Sequence, residues 1–135
     1  THNNIKQDAI KVSSLMTLVD KNLITEYDII AIDEAQFFND LKDFILTIEI
    51  TDTILYMSGL DGDYNRKPFG QILECIPLCD SVVKLRAFDM ITCDGHMKAP
   101  FTLRIKDNTK SQIQIGAKES YRAVSRENYL KLRET

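Results

Sequence analysis

Two carboxylates, Asp33 and Glu34, follow directly on the run Ile29, Ile30, Ala31 and Ile32. A short β-branched run with no polar alternation reads as a strand covered on both faces. In an open α/β sheet, ligands gather outside the carboxyl ends of the strands, which is where this acidic pair falls. One carboxylate of such a pair can hold the hydration shell of Mg²⁺ while the other accepts a proton. The plainer alternative is a pair that faces solvent or caps a helix.

A second constellation runs from Leu60 through Asp61, Gly62, Asp63, Tyr64, Asn65, Arg66, Lys67 and Pro68 to Phe69 and Gly70. Two glycines, a proline and two cations make a structured loop, and Tyr64 and Phe69 offer flat apolar faces to a planar base. A solvated basic turn with both aromatics in the core is the alternative. The third lies between Arg104 and Tyr121, where Gly116, after Ile115, lets a backbone come close to something. A plain β-hairpin explains it equally well. Cys75 and Cys79 flank Pro77 among Ile76 and Leu78, which suits buried structural thiols better than metal ligands.

These residues need elements to hold them. Asn39 can cap a helix whose apolar positions Leu41, Phe44, Ile45 and Ile48 keep the helical period. Thr53 to Ser58 reads as a second buried strand, Phe69 to Glu74 as a short helix stopped by Pro77, and Ser81 to Ala87 as a third strand. Strand, helix, strand, helix, strand is the pattern of an α/β domain with a mostly parallel sheet. From Phe88 onward the apolar residues thin out, with strands expected at Phe101 to Ile105 and Gln112 to Ile115. The expected division is therefore 1–87, an α/β unit, and 88–135, a smaller and mainly β one.

Composition narrows the function. The chain of 135 residues carries 17 Lys and Arg against 20 Asp and Glu, a net charge of -3 with the signs interspersed. Duplex nucleic acid is a poor fit, since its affinity would have to come from a basic surface. Every apolar stretch is broken well short of the roughly 18 to 20 residues of a membrane span. Three cysteines with no apolar leader before them point to a reducing, cytoplasmic setting. The acidic strand end is similar to that of phosphate-loop NTPases, but G-x-x-x-x-G-K-[ST] is absent from these residues. A phosphate loop would lie upstream of Thr1.

In order, Asp33-Glu34-Ala35-Gln36-Phe37-Phe38, Gly59-Leu60-Asp61-Gly62, Arg66-Lys67-Pro68-Phe69-Gly70, Phe101-Thr102-Leu103-Arg104, then Ile115-Gly116 and Tyr121 closely resemble the successive motifs of the cytosolic-type (type II) thymidine kinases. Thr1-His2 also looks like that family, and the resemblance spans essentially the whole chain. It implies a phosphate-loop NTPase type of sheet with a small domain bearing a lasso-like loop. It also implies transfer of the γ-phosphoryl group of ATP to the 5′-hydroxyl of thymidine, and of deoxyuridine, in nucleotide salvage. Glu34 would then be the general base, a buried carboxylate, and Asp33 would bind Mg²⁺ through water. Phe37, Leu60, Tyr64 and Phe69 would line the base pocket. Thr102, Arg104, Ile115, Gly116 and Tyr121 would belong to the loop and strands that close over the nucleoside. Feedback inhibition by dTTP and a homotetramer are implied as well.

The family's structural zinc is held by two Cys-x-x-Cys pairs. Here the first reads Cys93-Asp94-Gly95-His96 and the second Ser125-Arg126-Glu127-Asn128. Cys93 and His96 are at most a remnant, and a closed zinc site takes four thiolate or imidazole ligands. The expectation is a zinc-free protein, with Met90, Ile91, Met97, Phe101, Val124 and Tyr129 clustered instead. Two other classes compete with the kinase. One is a non-catalytic nucleotide-binding or regulatory protein without the phosphate loop. The other is an ATPase module such as a helicase core, which shares only Asp33-Glu34 and leaves Arg66 to Gly70 unexplained.

Overall fold

A computed structural model describes residues 8–105 and 120–133. The strand expected at Gln112 to Ile115 and the Thr1-His2 pair lie outside the described residues. The first helix, α1 (Met16–Asp20), leads to strand β1 (Ile29–Ile32), helix α2 (Leu41–Ile48) and strand β2 (Ile54–Met57). Strands β1 and β2 pair in parallel, Ile29 opposite Ile54 and Ile32 opposite Met57. Because side chains alternate across a strand, Ile30, Ile32, Leu55 and Met57 share one face. That face meets the buried Leu41, Phe44, Ile45 and Ile48 of α2 in the main core. Each of these side chains removed from water contributes roughly 1.5 to 3 kcal/mol.

The opposite face corrects the expectation of strands covered on both sides. Ile29 and Tyr56 are 56% and 62% exposed, and Ile54 is open as well. The two strands make a two-stranded sheet among the described residues, and no described element lies over that face. The third parallel strand is likewise not formed. Residues 81–86 carry no strand pairing, and Val83 and Leu85 are 76% and 85% exposed. A strand needs a neighbour to take its N–H and C=O groups, and none of the described residues supplies one. Among the described residues the fold is thus mixed helix and sheet, with small parallel and antiparallel sheets.

The helix caps also differ from expectation. Asp40, not Asn39, immediately precedes α2, and it caps nothing with its side chain. Its carboxylate instead accepts bonds from Ser14 Oγ (2.6 Å) and Met16 N (3.0 Å), tying the start of α1 to the start of α2. Burial alone would raise the Asp40 pKa, but those bonds outweigh it and hold the carboxyl below its ordinary value. One unpaired N–H of the first helical turn, Lys42 N, donates to Gln71 Oε1 at 2.9 Å. Gln71 precedes α3 (Ile72–Cys75), which continues into a tight turn over Ile76–Leu78 with Pro77 in it. Cys75 is fully buried there, and Cys79 Sγ donates to its carbonyl at 3.2 Å, as structural thiols do.

Two antiparallel pairs follow. Strand β3 (Ala87–Phe88) pairs with β4 (Lys98–Ala99), and β5 (Phe101–Arg104) pairs with β6 (Tyr121–Val124). A helix not foreseen from the sequence, α4 (Arg126–Arg133), closes the fold and seats the buried Tyr129 against Phe101, ring centroids 5.6 Å apart. Val124 and Tyr129 are buried as expected, but Met90 and Ile91 are exposed. The organising group is Asp89, 2% exposed. Its Oδ1 accepts Ile91 N (2.7 Å) and Thr92 N (2.9 Å), and its Oδ2 accepts Ser125 N and Asn128 Nδ2 (3.0 Å). One carboxylate therefore joins the Asp89–Thr92 turn to the start of α4.

Burial opposes ionisation of Asp89, yet the four N–H donors together hold its carboxyl well below the usual range. A carboxyl depressed in the folded state contributes stability above its unfolded pKa of about 4, and loses it as pH falls through the lower folded value. Asp89→Asn should cost roughly 2 to 3 kcal/mol at neutral pH, the scale of hydrogen bonds to a charged group. Urea unfolding followed from pH 7 to pH 3 should show the wild type weakening below about pH 4 and the variant changing less there. Equal midpoints at neutral pH would refute the role given to Asp89.

Candidate active site

Strand β1 delivers Asp33 and Glu34 to the end of the parallel pair, and the chain turns there at once. Glu34 takes a left-handed backbone, φ 54 and ψ 42, before the tight turn Ala35–Phe37. Such a conformation is uncommon for a residue with a side chain. Ala35 N donates to Ser58 O (2.9 Å) and Ser58 N to Ile32 O (2.9 Å), so the ends of β1 and β2 are tied together. Asp33 Oδ1 accepts both Glu34 N (3.0 Å) and Ser58 Oγ (2.9 Å). Glu34 is exposed, which corrects the picture of a buried carboxylate, and its Oε2 accepts Gln36 Nε2 at 2.6 Å.

The loop after β2 is shaped by a carboxylate of its own. Asp63 is buried and accepts Asn65 N and Lys67 N, each at 2.8 Å, while Asp63 N donates to Lys67 O. Arg66 reverses the chain at φ 61. Phe69 comes back buried, its ring edge-on to Phe37 at 5.5 Å and 87°. The outcome combines the two readings of this loop: Arg66 and Lys67 are exposed, and the aromatics belong to a cavity wall.

That cavity has a volume of about 370 Å³, within the range of small-molecule sites. Glu34 and Gln36 stand on one side, and Phe37, Leu60, Tyr64 and Phe69 form apolar walls. The remaining wall comes from the antiparallel pair, where Thr102 lies opposite Ala123 and Arg104 opposite Tyr121 on one face. Thr102, Tyr121 and Ala123 line the cavity. Arg104 stands behind it: its guanidinium lies 3.9 Å from the Tyr64 ring centroid and Nη2 donates to Tyr121 Oη at 2.6 Å. A planar cation between two aromatic rings fixes both walls at once.

Residues far apart in the chain keep this wall in place. Tyr129 Oη donates to Tyr64 O at 2.7 Å, and the Arg66 guanidinium lies 4.7 Å from the Tyr129 ring centroid. Of the residues singled out from the sequence, Glu34, Phe37, Leu60, Tyr64, Phe69, Thr102 and Tyr121 meet at one cavity. Arg104 supports it and Asp33 lies beside it with Ser58. Ile115 and Gly116 are outside the described residues. Gln36, Asp63 and Arg122 also line the cavity, and the sequence alone assigns them no role there. Alternation and charge do not mark a buried glutamine, and only its place inside the Asp33 to Phe38 motif could have drawn notice.

Two metals are implied by the resemblance. Mg²⁺ prefers oxygen donors and keeps most of its waters, and Asp33 with the Ser58 hydroxyl offers such donors beside the cavity. The residues fit. Zinc does not. The turn joined to Ser125 and Asn128 is Asp89–Thr92 rather than Cys93–His96, and Asp89 already takes the Ser125 and Asn128 donors. Cys93 Sγ donates to Met90 O, and His96 is exposed. No group of three or more metal-ligating His, Cys, Asp or Glu occurs among the described residues.

Glu34 thus shares one cavity with aromatic and leucine side chains at the end of a parallel strand pair. The chain belongs to the thymidine kinase family, whose pattern matches residues 1–129. It is 42% identical to a thymidine kinase of Oryza sativa subsp. japonica, over 96% of this chain and 48% of that protein. It is 40% identical to thymidine kinase a of Arabidopsis thaliana, over 96% of this chain and 55% of that protein. For the thymidine kinase of Yaba monkey tumor virus the figures are 41%, 98% and 70%. The chain thus spans about half the length of its plant relatives. No helix among the described residues is long and apolar enough to cross a membrane.

The closeness of these loops makes one glycine testable. Gly70 has φ +57, and a Cβ there would lie 2.2 Å from the Gln36 carbonyl oxygen. Left-handed backbone costs a non-glycine residue about 1 to 2 kcal/mol before any clash. Gly70→Ala in the complete protein should lose roughly 2 to 4 kcal/mol in chemical denaturation. An unchanged unfolding midpoint would mean that the loop yields.

Proposed function

We propose that this chain carries the nucleoside pocket and the catalytic base of a thymidine kinase that transfers the γ-phosphoryl group of ATP to the 5′-hydroxyl of thymidine, and of deoxyuridine. The observation that carries the proposal is the single cavity in which Glu34 faces Phe37, Leu60, Tyr64 and Phe69. Aromatic and leucine walls accept a pyrimidine by stacking and burial, which orients the sugar. Glu34 accepts the proton of the 5′-hydroxyl as its oxygen attacks the γ-phosphorus and ADP departs. Phosphoryl transfer asks mainly for position and charge stabilisation, so a held carboxylate and a shaped pocket are what the chain must supply. Mg²⁺, when bound, neutralises phosphate charge, and Asp33 with Ser58 would hold it through water. Family membership supports a phosphate-loop NTPase type of sheet in the complete protein. Residues 1–87 would then belong to that nucleotide-binding unit and 88–135 to a small lasso unit in which Thr102, Arg104, Ile115, Gly116 and Tyr121 close over the nucleoside. Inhibition by dTTP, a homotetramer and a cytoplasmic location go with the same reading.

Glu34→Gln in the complete protein keeps the size of the side chain and removes its basicity. Thymidine-dependent ADP release should fall by roughly 10² to 10⁴, with little change in the KM for thymidine. Wild-type turnover in the variant would exclude Glu34 as the base. Tight thymidine binding without any ADP release by the wild type would favour a non-catalytic binding protein.

The zinc proposal has its own test. Cys93 and His96 are the only thiol and imidazole in the region from Phe88 to Tyr129, short of the four such ligands of a closed site. Protein purified without chelator should contain well under one zinc per chain by elemental analysis, and chelator should leave its thermal midpoint unchanged. One equivalent of bound zinc would overturn the proposal.

A further inference from the structure

We infer that Gln36 is the positioning residue of the active site, holding the Glu34 carboxylate in the one orientation from which it can take the substrate proton. The inference rests on the reading of Glu34 as the base. Gln36 is 3% exposed, and a buried primary amide has to satisfy both of its ends. Its Oε1 accepts Leu60 N at 3.0 Å, and its Nε2 donates to Glu34 Oε2 at 2.6 Å. The backbone N–H of Leu60 is a donor only, so the amide oxygen must face Leu60 and the NH₂ must face Glu34. The direction of the contact is thereby fixed.

Glu34 needs such a hold. It is exposed, and a solvated glutamate has several rotamers open to it, most of which aim the carboxylate away from any one hydroxyl. A bond from a rigid, buried amide selects one of them. The surroundings are cut to fit that amide. A Cβ on Gly59 would lie 2.5 Å from Gln36 Oε1, and a Cβ on Gly70 would lie 2.2 Å from the Gln36 carbonyl oxygen. Both ends of the loop after β2 thus leave room for this one residue, Gly59 for its side-chain amide and Gly70 for its backbone. Since Leu60 also lines the cavity, the same amide sets the distance between the base and the apolar wall.

The test uses the complete protein and four forms: wild type, Gln36→Glu, Glu34→Gln and the double variant. Gln36→Glu keeps an acceptor for Leu60 N, and in place of the donor to Glu34 it sets a carboxylate that pushes the Glu34 side chain out of its held orientation. Its kcat should fall roughly 10- to 100-fold, the scale of a misplaced catalytic group, while the KM for thymidine stays within about twofold. In the Glu34→Gln background the same change should cost little more, because residues that act as a unit are not additive. Wild-type kcat in Gln36→Glu, or an equal loss in both backgrounds, overturns the inference and leaves Glu34 as the base. Wild-type turnover in Glu34→Gln overturns the reading of the base, and this inference with it. A further measurement needs no variant at Gln36. The Gln36 side-chain amide of the wild type should be protected from hydrogen exchange, and Glu34→Ala should remove that protection. Equal exchange in the two proteins overturns the inference even if every Gln36 variant fails to fold.

Discussion

The site depends on a chain reversal immediately after β1. The backbone leaves Ile32, passes left-handed through Glu34 and folds Gln36 under its own strand end. Left-handed backbone at a glutamate is uphill by about 1 to 2 kcal/mol, so something must hold it there. Three bonds do: Ala35 N to Ser58 O, Leu60 N to Gln36 Oε1, and Gln36 Nε2 to Glu34 Oε2. The first two reach the end of β2 and form only where β1 and β2 lie parallel in their observed register, while the third spans the turn itself. A one-residue slip would reverse the faces of β2 and move Ser58 and Leu60 away from the reversal. The packing of Ile30, Ile32, Leu55 and Met57 against α2, which goes with this register, is therefore also what places the acidic pair.

The cavity wall opposite Glu34 is held by a different kind of support. Leu60, Phe37 and Tyr64 keep much of their surface open, so burial of their own side chains does not fix them. Their backbones and edges are fixed instead. Asp63 gathers the loop, Tyr129 Oη takes the Tyr64 carbonyl, and Arg104 stacks on Tyr64 while bonding Tyr121. Tyr129 is in turn set by α4, whose start is bound to Asp89. A chain of contacts thus runs from a buried carboxylate at residue 89 to the aromatic wall.

What could be read from the sequence and what could not divide along the range of the interactions. Strand β1 was read to the residue, and the core positions of α2 followed from their 3.6-residue spacing, because both are recorded in neighbouring residues. The stretch Ser81 to Ala87 has a strand's composition, but strand structure requires a partner, and Val82, Val83 and Leu85 alone cannot say whether one is there. Asn39 was a reasonable cap by local rules. The N–H it would have taken nearby is served by Gln71, about thirty positions on, while Asp40 is drawn away to Ser14 and Met16. Helix α4 was missed because its sequence is mostly polar and its one buried anchor, Tyr129, gives no periodic signal.

The same distinction separates the two halves of the site. Residues that would touch substrate could be named from motifs, since their chemistry is in the side chain itself: a carboxylate, a ring, a hydroxyl. Residues that hold them were not visible, since Gln36, Asp63 and Asp89 act through backbone donors contributed by other segments. The choice of an amide at Gln36 and carboxylates at Asp63 and Asp89 follows from what each must satisfy. Asp63 and Asp89 face N–H donors, for which an acceptor-only group is suited. Gln36 stands between an N–H and a carboxylate, and among uncharged side chains a primary amide can accept from one and donate to the other at this span. A carboxylate at Gln36 would repel Glu34, and an apolar side chain would take from Leu60 N its hydrogen-bond partner. The identity of Gln36 is thus set by its two neighbours, and the orientation of Glu34 is set in return.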